Sequence, residues 1–455
     1  QKLAYGSGDL ASNCSYGLVS SFVLLYLTGT LGLDSAIIGS LMLASKVLDG
    51  ISDVIFGTLI DRTHSKLGKA RPWMLFGQVG VSLCLFLLFA IPAGSTTMQY
   101  IYFFIVYTAL NAVFYTANGI AYSSLVALIT KNNNERVQLG SFRFMFAVVT
   151  NIFMGFAVTG MVEKFGSGAA GWRTTALIFA IVGLVVNTIS CLAVKELPEE
   201  ELSGNASEAA EEGKAVAEEK KHGFAETAKI LVHNKYYLMI LAIYIVYYIM
   251  SNLTTGAGVF CATYYWGDGS LLGQFSMMKM FPVIIALAIA PVLIKKTGSM
   301  QKVNFWGYAI SSVLGIPMIY FAMQKNLSMF LLFMFIKGIF AGTLSGSLNA
   351  LIAEASGYTT RTTGIHMDGM MYSCSSLGVK VGGGIGTAAV GWLLKLGGFV
   401  GTATVQSESA IRMIFNLYIT FPFVIGIIIT VLLAFLDVEK ANKKWDAEHQ
   451  KEAQA

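Results

Sequence analysis

The sequence predicts an all-α integral membrane protein of twelve transmembrane helices, arranged as two six-helix bundles. Three observations carry this: an apolar composition, twelve apolar runs of membrane length, and an echo between the two halves. Of 455 residues, 55% are apolar and only 13% are charged, with a mean hydropathy of +0.64. Soluble domains carry about 25% charged residues, so the missing water-facing surface must face lipid. Seven prolines and 47 glycines suit long helices that pack closely.

A membrane helix needs about 20 mostly apolar residues. Such runs fall at roughly 10–31, 36–60, 72–92, 98–128, 140–162 and 172–194, then at 236–265, 271–294, 303–323, 328–353, 369–396 and 411–436. These are spans 1 to 12. Short connectors such as Pro92-Ala93-Gly94-Ser95-Thr96 make neighbouring helices antiparallel. One segment breaks the pattern: residues 195–229 hold ten glutamates and five lysines. The expected organisation is a bundle over 1–194, an acidic cytoplasmic middle loop over 195–235, a second bundle over 236–438 and a tail over 439–455. The middle loop reads as a solvated, partly helical tether.

Basic residues set the orientation. The 2–3 connector holds Arg62, Lys66, Lys69 and Arg71, the 4–5 connector Lys131 and Arg136, and the 8–9 connector Lys295, Lys296 and Lys302. The opposite side carries mainly Lys164, Arg173, Lys325, Lys395 and Arg412. The positive-inside rule then places both termini in the cytoplasm of a cell-membrane protein. The halves also echo each other. Gly57-Thr-Leu-Ile-Asp-Arg-Thr63 after span 2 matches Pro291-Val-Leu-Ile-Lys-Lys-Thr297 after span 8, and Leu125-Val-Ala-Leu-Ile129 matches Leu348-Asn-Ala-Leu-Ile352. A duplicated six-helix unit with a cytoplasmic middle loop is the layout of major facilitator carriers, which bind substrate at mid-membrane between the halves.

Other classes fit poorly. Cys14, Cys84, Cys191, Cys261 and Cys374 all lie in apolar stretches without a CxxC pair, so neither a disulfide framework nor a cysteine metal site is expected. No HExxH, Walker or GxSxG pattern is present, which argues against a membrane enzyme or an ATP-driven pump. A net charge of +5 without a dense basic cluster excludes a nucleic-acid partner. No signal peptide and no cofactor are expected.

The informative residues are charges within lipid-spanning runs. Span 2 reads Leu43-Ala-Ser-Lys46-Val-Leu-Asp49-Gly-Ile-Ser52-Asp53, and Lys46, Asp49 and Asp53 share one helical face with Ser52 beside them. A charge at the bilayer centre costs about 2.5–3.5 kcal/mol on insertion scales. A helix-pairing salt bridge explains one aspartate, but one lysine cannot neutralise two. The remaining carboxylate, beside a hydroxyl, calls for a proton or a small hard cation such as Na+ at Asp49 and Asp53. Lys380 in span 11 lies in Ser376-Leu-Gly-Val-Lys380-Val-Gly-Gly-Gly384, where small residues admit a neighbouring helix. Arg143 opens span 5 and reads either as a cavity residue or as an interfacial arginine whose head reaches for water. Lys279 and Lys337 read as structural or snorkelling lysines. Asp9, Ser12, Asn13 and Ser15 in span 1, with Tyr115, Thr116, Asn118, Tyr122, Ser123 and Ser124 in span 4, suit a sugar better than an apolar drug. The alternative for each is a hydrogen bond between helices.

At these residues the chain resembles the glycoside–pentoside–hexuronide:cation symporter family. The resemblance runs through Ala4-Tyr-Gly-Ser-Gly-Asp9-Leu-Ala-Ser-Asn13, through Lys46-Val-Leu-Asp49-Gly-Ile-Ser-Asp53 with Gly57, and through Lys66-Leu-Gly-Lys69-Ala-Arg-Pro-Trp73. It continues in Ile120 with Tyr122-Ser-Ser-Leu125, and in Thr363-Gly-Ile-His366-Met-Asp368-Gly369 ahead of Lys380. It implies a carrier whose coupling ion, Na+ or H+, sits at Asp49, Ser52, Asp53 and Thr116, with Lys46 and Lys380 serving coupling. It also implies sugar-site roles for Asn13 and Arg143, to which the polar reading of span 4 adds Asn118 and Tyr122. Where galactoside-binding members carry two aspartates and a tryptophan, this chain has Asn13, Gly119 and Ser123. Galactoside recognition is therefore not implied, and two cations near few acids favour a uronide.

The expected function is import of a glycoside, pentoside or hexuronide by symport with Na+ or H+, in a functional monomer whose partners are the sugar and the lipid bilayer. The alternatives are a carrier for a non-sugar solute, lysolipid or drug-like, and a non-transport membrane sensor or scaffold.

Overall fold

The computed structural model describes residues 2–197, 224–365, 368–403 and 405–452. Most of the middle loop, residues 198–223, lies outside the described residues, as do His366 and Met367 of the 10–11 connector. Span 1 runs over Lys2–Thr30, span 2 over Ser35–Asp61, span 3 over Arg71–Leu88, span 4 over Thr96–Ile129, span 5 over Asn133–Lys164 and span 6 over Gly168–Leu192. Span 7 covers Lys235–Tyr265, span 8 Leu271–Thr297, span 9 Met300–Met323, span 10 Leu327–Thr363 and span 11 Asp368–Leu396. Span 12 is built from Glu408–Phe415, Asn416–Thr420 and Phe421–Phe435. A linker helix, Phe224–His233, precedes span 7, and a tail helix, Val438–Glu452, follows span 12.

Eleven of these helices are long and apolar enough to cross a membrane. Span 2 is the exception among the twelve, because Lys46, Asp49 and Asp53 interrupt its apolar run. Helix polarity is turned inside out relative to a soluble protein. Span 6 exposes Leu177, Ile181, Val185, Ile189 and Leu192, one face at helical spacing, and buries Thr175, Asn187 and Ser190. Span 3 exposes Phe76, Val79 and Leu83 while Gln78 and Ser82 are buried. Apolar atoms outward and hydrogen-bonding groups inward is what a hydrocarbon solvent selects.

Several helices begin before their apolar runs. Span 1 starts at Lys2 rather than near residue 10, and span 5 at Asn133 rather than near 140. Hydropathy marks where lipid begins, not where helical hydrogen bonding begins. Asp9 and Arg143 are therefore interior to their helices.

The chain packs as two compact bodies. The first comprises Gln1–Gly204, Asn252–Met277 and Gly384–Tyr418, and the second Asn205–Ser251, Met278–Gly383 and Ile419–Ala455. The first gathers spans 1–6 with the ends of spans 7 and 11 and the starts of spans 8 and 12. The second has a core of Tyr237, Tyr244, Tyr308, Leu344, Leu351 and Ile429.

The halves repeat a capping device. Four residues beyond span 6, Glu196 accepts the backbone N–H groups of Lys69, Ala70 and Arg71 at 2.7, 3.0 and 3.0 Å, at the start of span 3. Four residues beyond span 12, Glu439 accepts the N–H groups of Met300 and Gln301 at 2.8 and 3.0 Å and the Ser299 hydroxyl, at the start of span 9. Each carboxylate satisfies orphan donors and sits at the positive end of a helix dipole. Gly68, at φ +109°, permits this, since a Cβ there would strike the Glu196 carboxylate. The tail helix is held further by Asn442 donating to Glu354 at 2.8 Å and by an Arg361–Asp446 pair at 3.4 Å.

Candidate cation and sugar site

In the first body, span 2 presents its charged face to span 4. Span 2 starts cleanly because Asp34 caps it, accepting from the N–H groups of Ala36 and Ile37. Four turns later Asp49 is buried, with one carboxylate oxygen accepting the Thr116 hydroxyl at 2.7 Å and the other 3.4 Å from the Lys46 ammonium. Thr116 follows a π-helical stretch, Ala109–Tyr115, and its hydroxyl also lies 2.9 Å from the Asn111 carbonyl oxygen. A widened helical turn of this kind re-aims side chains and is frequent at functional sites. The Ser52 hydroxyl donates to the backbone oxygen of Asp49 at 2.9 Å, which leaves its lone pairs for a cation. Asp53, one turn further on, is half-buried. Lys46 offsets the charge of Asp49, so this stretch of span 2 carries one carboxylate in excess. Oxygen donors are the ligands of a hard cation. Among the described residues no three His, Cys, Asp or Glu side chains gather as a metal cluster.

A second constellation joins spans 1, 4 and 5. Arg143 pairs with Asp9 at 2.6 Å, and its guanidinium lies 4.2 Å from the centre of the Tyr122 ring and 6.0 Å from that of Tyr5. Arg143 is thus held by Asp9 and the two tyrosines, well inside its helix. The two tyrosines form a fixed floor. Tyr5 donates to the Tyr122 carbonyl at 2.8 Å, Tyr122 donates to the Tyr5 carbonyl at 2.6 Å, and the ring centres are 4.8 Å apart. Gly8 lets span 1 approach, since a Cβ there would sit 2.7 Å from the Tyr122 ring. Asn13 accepts from Asn151 at 2.9 Å and donates to the Asp9 backbone carbonyl at 2.7 Å.

Of the residues expected from sequence, Lys46, Asp49 and Thr116 come together, Ser52 bonds to the Asp49 backbone, Asp53 lies one turn further along the same helix, and Asn13 and Arg143 meet through the Asp9 turn. Tyr122 is buried beneath the Arg143 guanidinium. Asn118 is buried as well and donates to Gln78 of span 3 at 2.6 Å. Lys380 belongs to the second body and is half-buried there, as are Lys279 and Lys337. Gly338 packs against Pro282 and faces the Met278 carbonyl, so Lys337 and Lys279 flank one crossing of spans 8 and 10. Asp9, one of the span 1 polar residues that suit a sugar, and Asn151, which the sequence did not single out, complete the Arg143 constellation.

The first body also contains a clasp between span 2 and span 11. Ser35 donates to the Gly391 carbonyl at 2.9 Å, Trp392 donates to Ser40 at 2.9 Å, and Lys395 pairs with Asp34 at 2.6 Å. Glycines permit the approach: a Cβ on Gly39 would lie 2.7 Å from the Ala388 oxygen, and one on Gly391 would collide with the Ser35 oxygen. Partial burial pushes the Asp34 carboxyl up. Lys395 and the N–H groups of Ile37 and Ala36 pull it down further, leaving it below its ordinary value.

The family described as MFS/sugar transport protein matches residues 4–440. The chain belongs to this family. The resemblance drawn from spans 1, 2, 4 and 11 agrees with that membership. Two relatives of this sugar-transport chain span nearly all of it. An isoprimeverose transporter of Lactiplantibacillus pentosus is 26% identical over 459 residues, covering 100% of this chain and 92% of its own length. The symporter YnaJ of Bacillus subtilis, itself uncharacterised, is 25% identical over 446 residues, covering 97% and 91%. The crystal structure of a D-xylose–proton symporter superposes with a TM-score of 0.64 at 12% identity, covering 96% of this chain and 97% of that one. That likeness establishes the major facilitator fold.

Proposed function

We propose that the protein is a secondary active transporter that imports a glycoside, pentoside or hexuronide by symport with Na+ or H+. The observation that carries this is Asp49, a buried carboxylate within a membrane helix, held by Thr116 and Lys46 and followed by Asp53. Two carboxylates with the hydroxyls of Ser52 and Thr116 give a hard cation an all-oxygen donor set. Na+ would take Asp49, Asp53 and the lone pairs of Ser52 and Thr116; a proton would take Asp53. Asn13 and Arg143 would hold the sugar, with Tyr122 and Asp9 positioning the guanidinium. Lys46 and Lys380 would couple ion and sugar occupancy.

Both termini would face the cytoplasm, where the basic connectors lie, and the monomer would be the working unit. The clasp between spans 2 and 11 would have to part for the carrier to open on that side.

Binding to the purified chain in liposomes tests this, using glycosides, pentosides and glucuronides with and without sodium at two pH values. Tighter sugar binding with sodium supports a sodium symporter, and tightening only at the lower pH supports a proton symporter. Binding of a lysolipid or drug with no sugar binding under any condition would contradict the reading.

A further inference from the structure

The 2–3 connector and the end of span 6 enclose a cavity of about 420 Å³ in the first body, separate from the site above. Four cations line it: Lys66, Lys69, Arg71 and Lys195. Among the described residues its one carboxylate, Glu196, has both oxygens engaged by the backbone N–H groups that start span 3. The Arg71 side chain donates to neutral carbonyls, those of Cys191 at 3.1 Å and Leu67 at 3.3 Å. Among the described residues Lys66 and Lys195 form no ion pair. Among the described residues the lining therefore carries more positive than negative charge. Its volume lies within the roughly 300–1,000 Å³ of small-molecule sites.

The position identifies the class of anion. Lys195 lies three residues beyond Leu192 and six beyond Ile189, both exposed on the apolar face of span 6. The helix ends at Leu192, and three residues of extended chain span at most about 11 Å, so an anion at Lys195 sits close to the apolar face of span 6. Leu67, which also lines the cavity, is itself partly exposed. A charged head with an apolar body beside it matches this arrangement, and basic pockets between membrane helices on the cytoplasmic side suit lipid phosphates. We propose that this cavity binds the phosphate of an anionic phospholipid headgroup, with Lys66, Arg71 and Lys195 as the recognising cations. The proposal stands apart from the identity of the transported solute.

The test uses the full-length chain, delipidated in detergent and titrated with phosphatidylglycerol, phosphatidylcholine or sn-glycerol 3-phosphate. Native mass spectrometry reads the bound lipid, and calorimetry reads the soluble anion. The expected result is retention of phosphatidylglycerol over phosphatidylcholine, reduced about thirtyfold in the double variant Lys66→Gln/Lys195→Gln. Lys66→Arg/Lys195→Arg should restore it, and Lys295→Gln/Lys296→Gln, on the corresponding connector of the second half, should not reduce it. Equal retention of the two lipids would overturn the proposal, as would unchanged retention in the Gln variant. Glycerol phosphate binding as tightly as the lipid would make this a soluble-anion site and overturn the lipid assignment.

Discussion

Thr116 and Asp49 carry the coupling reading at the scale of single residues. A hydrogen bond to a buried charged group is worth about 1.5–3 kcal/mol, so Thr116→Val should weaken the coupling ion's effect on sugar binding by about tenfold to a hundredfold. Thr116→Ser, which keeps the hydroxyl, should stay near wild type. An ion-titration of sugar affinity in the two variants checks this. Asp9 and Arg143 make the second residue-scale case. Their pairing at 2.6 Å predicts that Asp9→Asn and Arg143→Gln are non-additive in thermal stability, with a coupling of about 1–3 kcal/mol. Additivity within about 0.5 kcal/mol would show that the pair does not act as a unit. The span 2 charges were legible in the sequence because an ionisable residue is an anomaly in an apolar run. The Asp9–Arg143 pair was not. Its members are 134 positions apart, and each was placed near a helix edge because hydropathy falls before the helix ends.

At the scale of elements, the two capping glutamates and the span 2–span 11 clasp are the features open to test. Glu196→Ala and Glu439→Ala each remove an acceptor from a helix start and should each cost about 1–2 kcal/mol, read as similar falls in melting temperature. A fall in one variant only would mean the two caps are not equivalent. Neither cap could be read from hydropathy, because both lie beyond the apolar runs, although their identical four-residue offset from spans 6 and 12 is visible once the helix ends are known. The clasp predicts that Gly391→Leu raises the reactivity of a Ser40→Cys reporter toward a membrane-impermeant thiol reagent. The Asp34–Lys395 pair adds a pH dependence. A carboxyl held below its ordinary value contributes stability above the usual carboxylate range and loses it as pH falls through the lowered value. Reporter reactivity in the otherwise native chain should therefore stay flat from about pH 8 to about pH 5 and rise only in stronger acid. A rise near neutrality would assign the clasp to another group.

At the scale of the whole molecule, the twelve spans were legible because composition and the length of apolar runs are set by the lipid solvent. The division into compact bodies was not, since it cuts through spans 7, 8, 11 and 12, whose two ends read alike in sequence. Coupling belongs to this scale: if the ion raises sugar affinity by some factor, sugar must raise ion affinity by the same factor. The most direct measurement is concentrative sugar uptake into proteoliposomes driven by an imposed sodium or proton gradient, in wild type and in Asp53→Asn. Uptake driven by one of the gradients in wild type and abolished in Asp53→Asn, with sugar binding retained, is the predicted result. Concentrative uptake that survives in Asp53→Asn would contradict the account.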